Sequence, residues 1–275
     1  DSLKQSIEAE LARIDLIASN YKESSELSRI NAAPIDVEII ISPEMYSILS
    51  YAEKLYQLTD GLYDITVGSL VIDKGFGPED PMNQNTIPVS LKRFDLISNN
   101  AIIKNDNFQF DLSSIAKGYA VDSVAELLIN ANRKNFLIDI GGEIIVNGTK
   151  HGAPWVIGIQ DPSSLQNKSI LEILENDFLA VATSGEYRNQ KINDSGQILS
   201  HTFNPMSEQS ILDKSYSVTV ASKQSSMIAD AWATALNVLG PEKGIDLAND
   251  HAVAVMYIMH EENILIKSKS WNYSD

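Results

Sequence analysis

Two largely apolar runs, Phe136–Ile140 and Ile144–Val146, are separated only by Gly141-Gly142-Glu143. A link this short cannot close a parallel crossover, which needs roughly a dozen residues or more, so the two runs must form an antiparallel hairpin around a tight Gly-Gly turn. Ala252–Met259 and Ile264–Lys267 repeat the pattern near the C-terminus. Helical periods interleave irregularly with these strands. The chain is therefore read as α+β, with mixed, largely antiparallel sheets and packed helices rather than a doubly wound parallel sheet. The 275 residues, 44% of them hydrophobic, can bury a sizeable core. They contain no exact repeat and no low-complexity linker, which predicts one compact unit over residues 1–275 with room for two lobes.

The helices carry their own boundary signals. Leu3, Ile7, Leu11, Ile14 and Ala18 share one helical face and predict an opening helix to about Ser19, followed by a polar loop over Asn20–Ser28. Pro43 stands at the first turn of a second helix bearing Tyr46, Leu49, Ala52 and Leu55, and Gly61 lies just past its end. Phe76–Pro88 reads as a surface loop. A strand over Phe108–Leu112 is expected to lead into a helix from about Ile115 to Asn130, followed by a buried strand at Phe136–Ile140. Trp155–Gln160, Phe178–Thr183 and an alternating Ser217–Ala221 are further strands. Met227–Leu239 is a helix stopped by Gly240-Pro241.

Charge and cysteine content exclude several functions. With 21 basic against 37 acidic side chains the formal charge is −16, which repels a phosphate backbone and argues against nucleic-acid binding. Cysteine is absent, so disulfides and thiolate metal sites are excluded. No apolar run reaches the about 18 residues of a membrane span, and the chain is expected to be soluble as given. It opens at Asp1-Ser2-Leu3, already inside a helical pattern, which suggests a trimmed or mature form.

Five segments hold chemistry-bearing residues. Asp111-Leu112-Ser113-Ser114-Ile115-Ala116-Lys117-Gly118-Tyr119 places an acid, two hydroxyls and a lysine where a helix begins, which suits a phosphate. Ser113 as a plain N-cap and Lys117 as a solvated side chain is the commoner arrangement. Asp230 and Thr234 are four apart on one helical face and offer two hard oxygens of the kind Mg²⁺ takes, although an Asp near a helix start is also a simple dipole partner. Thr183-Ser184-Gly185-Glu186-Tyr187-Arg188 and Ser200-His201-Thr202-Phe203-Asn204-Pro205 surround His201, one of four histidines, with small polar residues. An imidazole there can act as a general base, while a structural histidine is the more frequent case. Leu137–Glu143 lacks a G-x-G-x-x-G or Walker pattern, so its glycines are read as permitting close backbone approach. Gly61-Leu62-Tyr63-Asp64-Ile65-Thr66-Val67-Gly68 offers a ring and a carboxylate in a helix-to-strand connection.

Taken in order, these segments, together with Ser25–Asn31, Gly75-Phe76-Gly77-Pro78 and Ser217–Val220, resemble the FAD:protein FMN transferases of ApbE type over nearly the whole chain. The resemblance implies an ApbE-like fold and FAD as substrate. Tyr21 would contact the flavin, and Leu62, Tyr63, Asp64, Asp111, Lys117 and Thr202 would line the cofactor pocket. Mg²⁺ would be held by Asp230, Thr234 and the main-chain carbonyl of Ser114.

The implied reaction is attack by a Thr or Ser hydroxyl of an acceptor protein on the FMN-side phosphorus of FAD, with AMP leaving. His201 would serve as base, and Lys117 would share the electrostatic task. Implied acceptors are subunits of redox complexes such as the sodium-translocating NADH:quinone reductase. The setting would be the periplasm, with membrane contact only through a lipid anchor outside this chain. Asn204 and Lys74 depart from the family pattern, which has Asp and an aromatic residue there, and the family's first strand lies upstream of Asp1. Hydrolysis of FAD to FMN and AMP, or FAD binding without turnover, are the alternatives; Tyr rather than Asn at position 21 leans towards transfer.

Overall fold

The computed structural model describes residues 2–78, 93–161, 170–185, 190–192, 198–200, 202–211, 216–259 and 264–273. They fall into two units, Asp1–Ala116 with Lys191–Ile211, and Lys117–Gln190 with Leu212–Asp275. Among the described residues no helix is long and apolar enough to cross a membrane.

The first unit opens with helices α1 (Ser2–Ala18) and α2 (Glu26–Asn31), then strand β1 (Glu38–Ile40), helices α3 (Pro43–Leu58) and α4 (Gly68–Asp73), and strands β2 (Phe94–Ile97) and β3 (Ala101–Lys104). On α1, Ile14 and Ile17 are buried and the expected face is borne out. The polar stretch Asn20–Ser28 is only partly loop, because α2 begins inside it. Ser25 caps that helix by accepting from the Ser28 amide at 3.0 Å, and Leu27 and Ile30 carry its one buried face. Ser42 caps α3 at the Met45 amide, with Pro43 at the first turn as expected. The Glu26 carboxylate takes both the amide and hydroxyl of Ser42 at 2.6 Å, tying α2 to α3.

Strands β1, β3 and β2 form an antiparallel sheet in that order. Phe94, Phe108 and Phe110 pack edge-on or tilted, with ring centroids 4.8–6.4 Å apart. The expected strand at Phe108–Leu112 is an extended segment with a single parallel bridge, Gln109 to Val67. Its hydrogen bonds go to two sides: the Gln109 carbonyl accepts from the Gly68 amide at 2.9 Å and the Asp111 amide donates to the Ile65 carbonyl at 2.8 Å, while the Asn31 side chain accepts from the Phe110 amide at 2.7 Å and donates to its carbonyl at 3.1 Å. One side-chain amide thus does the work of a neighbouring strand. Asn31→Ala should cost about 1–3 kcal/mol by unpairing that backbone, measurable by urea denaturation. Buried Lys104 donates to the carbonyls of Asn31 and Ala33 and so terminates α2.

The second unit contains helix α5 (Ala116–Asn130) beyond its first residue, and strands β4 (Phe136–Ile140), β5 (Glu143–Asn147), β6 (Trp155–Gln160), β7 (Ile170–Asn176) and β8 (Phe178–Gly185). The short pairs β9 (Gln190–Ile192) with β10 (Ile198–Ser200), and β11 (Phe203–Asn204) with β12 (Gln209–Ser210), come next in the chain and, from Lys191 on, belong to the first unit. The chain ends with β13 (Tyr216–Ser222), helix α6 (Ser226–Asp250), β14 (Ala254–Met259) and β15 (Ile264–Lys267). Six strands make one sheet in the order β15-β14-β13-β8-β5-β4, antiparallel throughout, with α6 packed on it. Strands β6 and β7 form a separate antiparallel hairpin.

The hairpin from which the fold class was read is present, with Gly141 at φ 68° and Gly142 at φ 104° closing a two-residue turn. Strand β4 is not buried as expected, because it is the sheet edge and Leu137 is exposed. Strand β13 is covered on both faces; its alternation reflects a polar row, where Thr219 meets Thr183 of β8 at 2.9 Å, and not a solvated face. Helix α6 breaks at Gly240-Pro241 as expected, Gly240 having φ 76° and ψ 171°. The last carbonyls before the break, Leu236 and Asn237, accept from the hydroxyls of Tyr257 and Tyr216. Strands β1, β2, β3 and β7 were not anticipated from sequence.

Candidate active site

In the first unit the connection after α3 is shaped by its own polar groups. The Thr59 hydroxyl accepts from the Tyr63 amide at 2.9 Å, and the Asp64 carboxylate accepts from both the amide and the hydroxyl of Thr66 at 2.7 Å. Burial raises the Asp64 carboxyl above the ordinary carboxylate range, with the Thr66 bonds and Arg93 opposing it. Leu62 is partly buried beside it, and the buried Tyr63 places its hydroxyl 3.0 Å from the Ser114 Oγ. The Asp111 carboxylate accepts from the Ser113 amide at 2.8 Å and from the Asn20 side chain at 3.3 Å. Ser113 therefore receives a cap rather than providing one. Tyr21 is 67% exposed and donates to the Phe76 carbonyl at 3.0 Å, which leaves a ring face open.

Two segments distant in sequence also meet in this unit. Phe203 packs against Leu70 and Val71, and its ring stacks edge-on to Phe76 at 5.9 Å. Thr202 is buried, and its carbonyl accepts from the Ile211 amide. Asn204 Oδ1 accepts from the amides of Met206 and Ser207 at 2.9 and 3.2 Å, a turn that an aspartate would make equally well. Lys74 is an exposed residue just beyond α4. His201 and residues 186–189 lie outside the described residues.

The second unit holds an ionic cluster assembled by α5, α6 and the Gly-Gly hairpin. Asp230 on α6 is 4% exposed and accepts from the Gly118 amide on α5 at 2.9 Å. Burial pushes the Asp230 carboxyl up to about 7; Lys117 and the Gly118 amide act downward, Glu143 and Asp122 upward. The Lys117 ammonium pairs with Glu143 at 2.6 Å; the lysine side chain is half exposed and Glu143 is 3% exposed. Burial raises Glu143 as well, against the pull of Lys117. Gly118 is where the two helices touch, since a Cβ there would strike the Ser226 carbonyl and come within 2.7 Å of Met227 Cα. Four residues on, Asp122 accepts from the Ser225 hydroxyl and the Ser226 and Met227 amides at 2.7–2.8 Å, fixing the start of α6. Asp122→Ala should remove about 2–3 kcal/mol of stability, read from chemical denaturation, with Asp122→Asn intermediate.

A model of the ApbE family matches residues 1–258 of this chain. The chain belongs to the ApbE family. A protein of Vibrio cholerae named FAD:protein FMN transferase is 34% identical over 272 residues, covering 95% of this chain and 80% of that one. Its namesake from Haemophilus influenzae is 33% identical over 281 residues, covering 97% and 81%. The solved flavin transferase ApbE from Vibrio cholerae aligns with TM-score 0.84 at 31% identity, over 98% of this chain and 89% of that one. The mixed, antiparallel architecture is thus that of ApbE proteins.

Of the residues singled out from sequence, the first unit holds Tyr21, Leu62, Tyr63, Asp64, Asp111, Ser114 and Thr202, and the second holds Lys117, Asp230 and Thr234. Asp230 and Thr234 suit a hard divalent cation on chemical grounds. Asp230 Oδ1 and the Thr234 hydroxyl take no hydrogen bond among the described residues, and both lie one helical turn apart on α6. Glu143 lies inside a segment singled out from sequence but was given no role there, and Asp122 lies on the expected helix just past another. Their signal was an acid immediately after a Gly-Gly turn, and an acid on the face of α5 that Gly118 brings against α6.

Proposed function

We propose that this ApbE-family chain transfers the FMN moiety of FAD to a Thr or Ser hydroxyl of an acceptor protein, releasing AMP. One observation carries the reading: the buried Asp230 has no ion-pair partner among the described residues and sits in the field of the half-exposed Lys117 ammonium, in a chain 34% identical to a FAD:protein FMN transferase. Such a pairing of cation site and ammonium suits a pyrophosphate.

In this reading the acceptor oxygen bonds to the FMN-side phosphorus, the phosphoanhydride bond breaks, and AMP departs with the electron pair. His201 takes the hydroxyl proton, a role resting on the family resemblance. Lys117 offsets charge on the phosphate oxygens. Asp230 and Thr234, with the Ser114 carbonyl that the resemblance adds, are the proposed Mg²⁺ ligands. The chemistry supplied by Mg²⁺ when bound is neutralisation of pyrophosphate charge. Tyr21, Leu62, Tyr63, Asp64, Asp111 and Thr202 are the proposed flavin-nucleotide contacts. Subunits of redox complexes such as the sodium-translocating NADH:quinone reductase fit as acceptors, which would place the enzyme in the periplasm as a lipid-anchored protein.

Incubation with FAD, Mg²⁺ and an acceptor domain tests the reading. A fluorescent acceptor band that survives denaturation is expected, and His201→Ala should lower its rate by about 10²–10⁴. FMN and AMP without labelled acceptor would mean hydrolysis instead, and unchanged FAD would mean binding alone.

A further inference from the structure

We propose that Glu143 is a positioning residue of this enzyme, holding the Lys117 ammonium and thereby leaving the Asp230 carboxylate open to a divalent cation. The proposal rests on the reading of Asp230 as a Mg²⁺ ligand.

The charges that act on this cluster come from every element around it. Lys117 and Asp122 lie on α5, Asp139 on β4, Glu143 on β5 and Asp230 on α6. Among the described residues Lys117 is the only cation that acts on both Glu143 and Asp230. Asp122 is satisfied by three donors at the start of α6, and exposed Asp139 takes the Gly142 amide at 2.9 Å. Two buried carboxylates, Glu143 and Asp230, are therefore left to share one ammonium. Burial makes each uncompensated charge costly, so the ammonium's position decides which carboxylate stays bare.

The hairpin settles that competition. The Gly141-Gly142 turn brings Glu143 in as the first residue of β5, and its Oε1 meets the ammonium at 2.6 Å. With no side chain, Gly141 lets its backbone sit against the pair: a Cβ there would lie 3.6 Å from Glu143 Oε2 and 3.9 Å from Lys117 Cδ. Glu143 Oε2 is buried and has no hydrogen-bond partner among the described residues, so the carboxylate is committed through Oε1 alone. Among the described residues Asp230 receives only the Gly118 amide. If Glu143 loses its charge, Asp230 is the remaining buried carboxylate on which Lys117 acts, and a divalent cation must then compete with an ammonium.

Glu143→Gln preserves volume and tests this directly through Mg²⁺ binding, measured by calorimetry on the folded full-length chain without FAD. The expected result is a Kd for Mg²⁺ raised tenfold or more. Adding Lys117→Met to Glu143→Gln should bring the Kd back to within about threefold of the unaltered chain, because the competing ammonium is gone; a change of threefold is under 1 kcal/mol. Flavin transfer should stay low in that double variant. Lys117→Met alone should bind Mg²⁺ at least as tightly as the unaltered chain, and this variant keeps the test usable if Glu143→Gln does not fold. Unchanged Mg²⁺ affinity in Glu143→Gln, a double variant that stays weak, or weakened binding in Lys117→Met would each overturn the proposal. If the unaltered chain binds no Mg²⁺, or Asp230→Asn binds it normally, the underlying reading of the metal site fails, and the proposal with it.

Discussion

Replacing Asp230 with asparagine should lower Mg²⁺-dependent flavin transfer by about 100-fold or more, equivalent to about 3 kcal/mol, while making the metal-free chain more heat-resistant above neutral pH. The two effects have opposite signs because the proposed Mg²⁺ ligand is a carboxylate whose burial costs stability. Burial pushes the Asp230 carboxyl up to about 7 in the folded state, well above the ordinary aspartate value of 3.8. Between those values the folded chain holds a proton that the unfolded chain has released, so the contribution is fully present below about pH 4 and is lost as pH rises through 7. Asp64, Asp122 and Glu143 are raised in the same direction by burial and add to the trend.

Asparagine keeps an oxygen for the Gly118 amide and removes the charge. In EDTA its melting temperature should exceed that of the unaltered chain by several degrees at pH 8, each 1 kcal/mol being worth about 2–4 °C in a chain of this size. At pH 4 the two should nearly coincide. Added Mg²⁺ should stabilise the unaltered chain and leave Asp230→Asn unmoved. A lower melting temperature for Asp230→Asn at both pH values would show the carboxylate to be a structural acceptor.

Gly118→Ala should be strongly destabilising although it adds a single methyl group. A helical interior ordinarily gains from alanine over glycine by about 1 kcal/mol. Here the added carbon would meet backbone, the Ser226 carbonyl and Met227 Cα, which no rotamer change can relieve. The helices must separate, at a cost of about 1–3 kcal/mol or more. The separation also draws the Gly118 amide from Asp230 and the Asp122 carboxylate from the first turn of α6. Thermal denaturation should show the loss of stability. Activity at a temperature where the variant remains folded should fall further than that loss explains. A variant of normal activity would mean that the helix contact is slack.

Much of the skeleton was legible because its signals are local. Pro43 marked the start of α3, Gly240-Pro241 the break in α6, and Gly141-Gly142 the hairpin, each by fixing backbone angles within a few residues. Where the reading missed, distant residues made the bonds. Phe108–Leu112 has strand composition but pairs with an asparagine about 79 positions away, and α2 hides in a polar stretch because a helix of six residues shows only two buried side chains. The candidate site divides the same way. Asp230 and Thr234 were found together from helical spacing, and Lys117 from its place near a helix start.

The Gly-Gly turn carries both halves of the lesson. By itself the sequence determined that the chain must turn back there into an antiparallel hairpin, since two glycines permit positive φ and three residues cannot span a crossover. It could not determine where the hairpin would lie in the sheet or what its first acid would touch. Only tertiary packing made β4 an edge, set β5 beside β8 and brought Glu143 to Lys117 and the buried Asp230 into one electrostatic cluster. Backbone angles are settled within a few residues, whereas strand order and ion pairing depend on which distant surfaces lose water together.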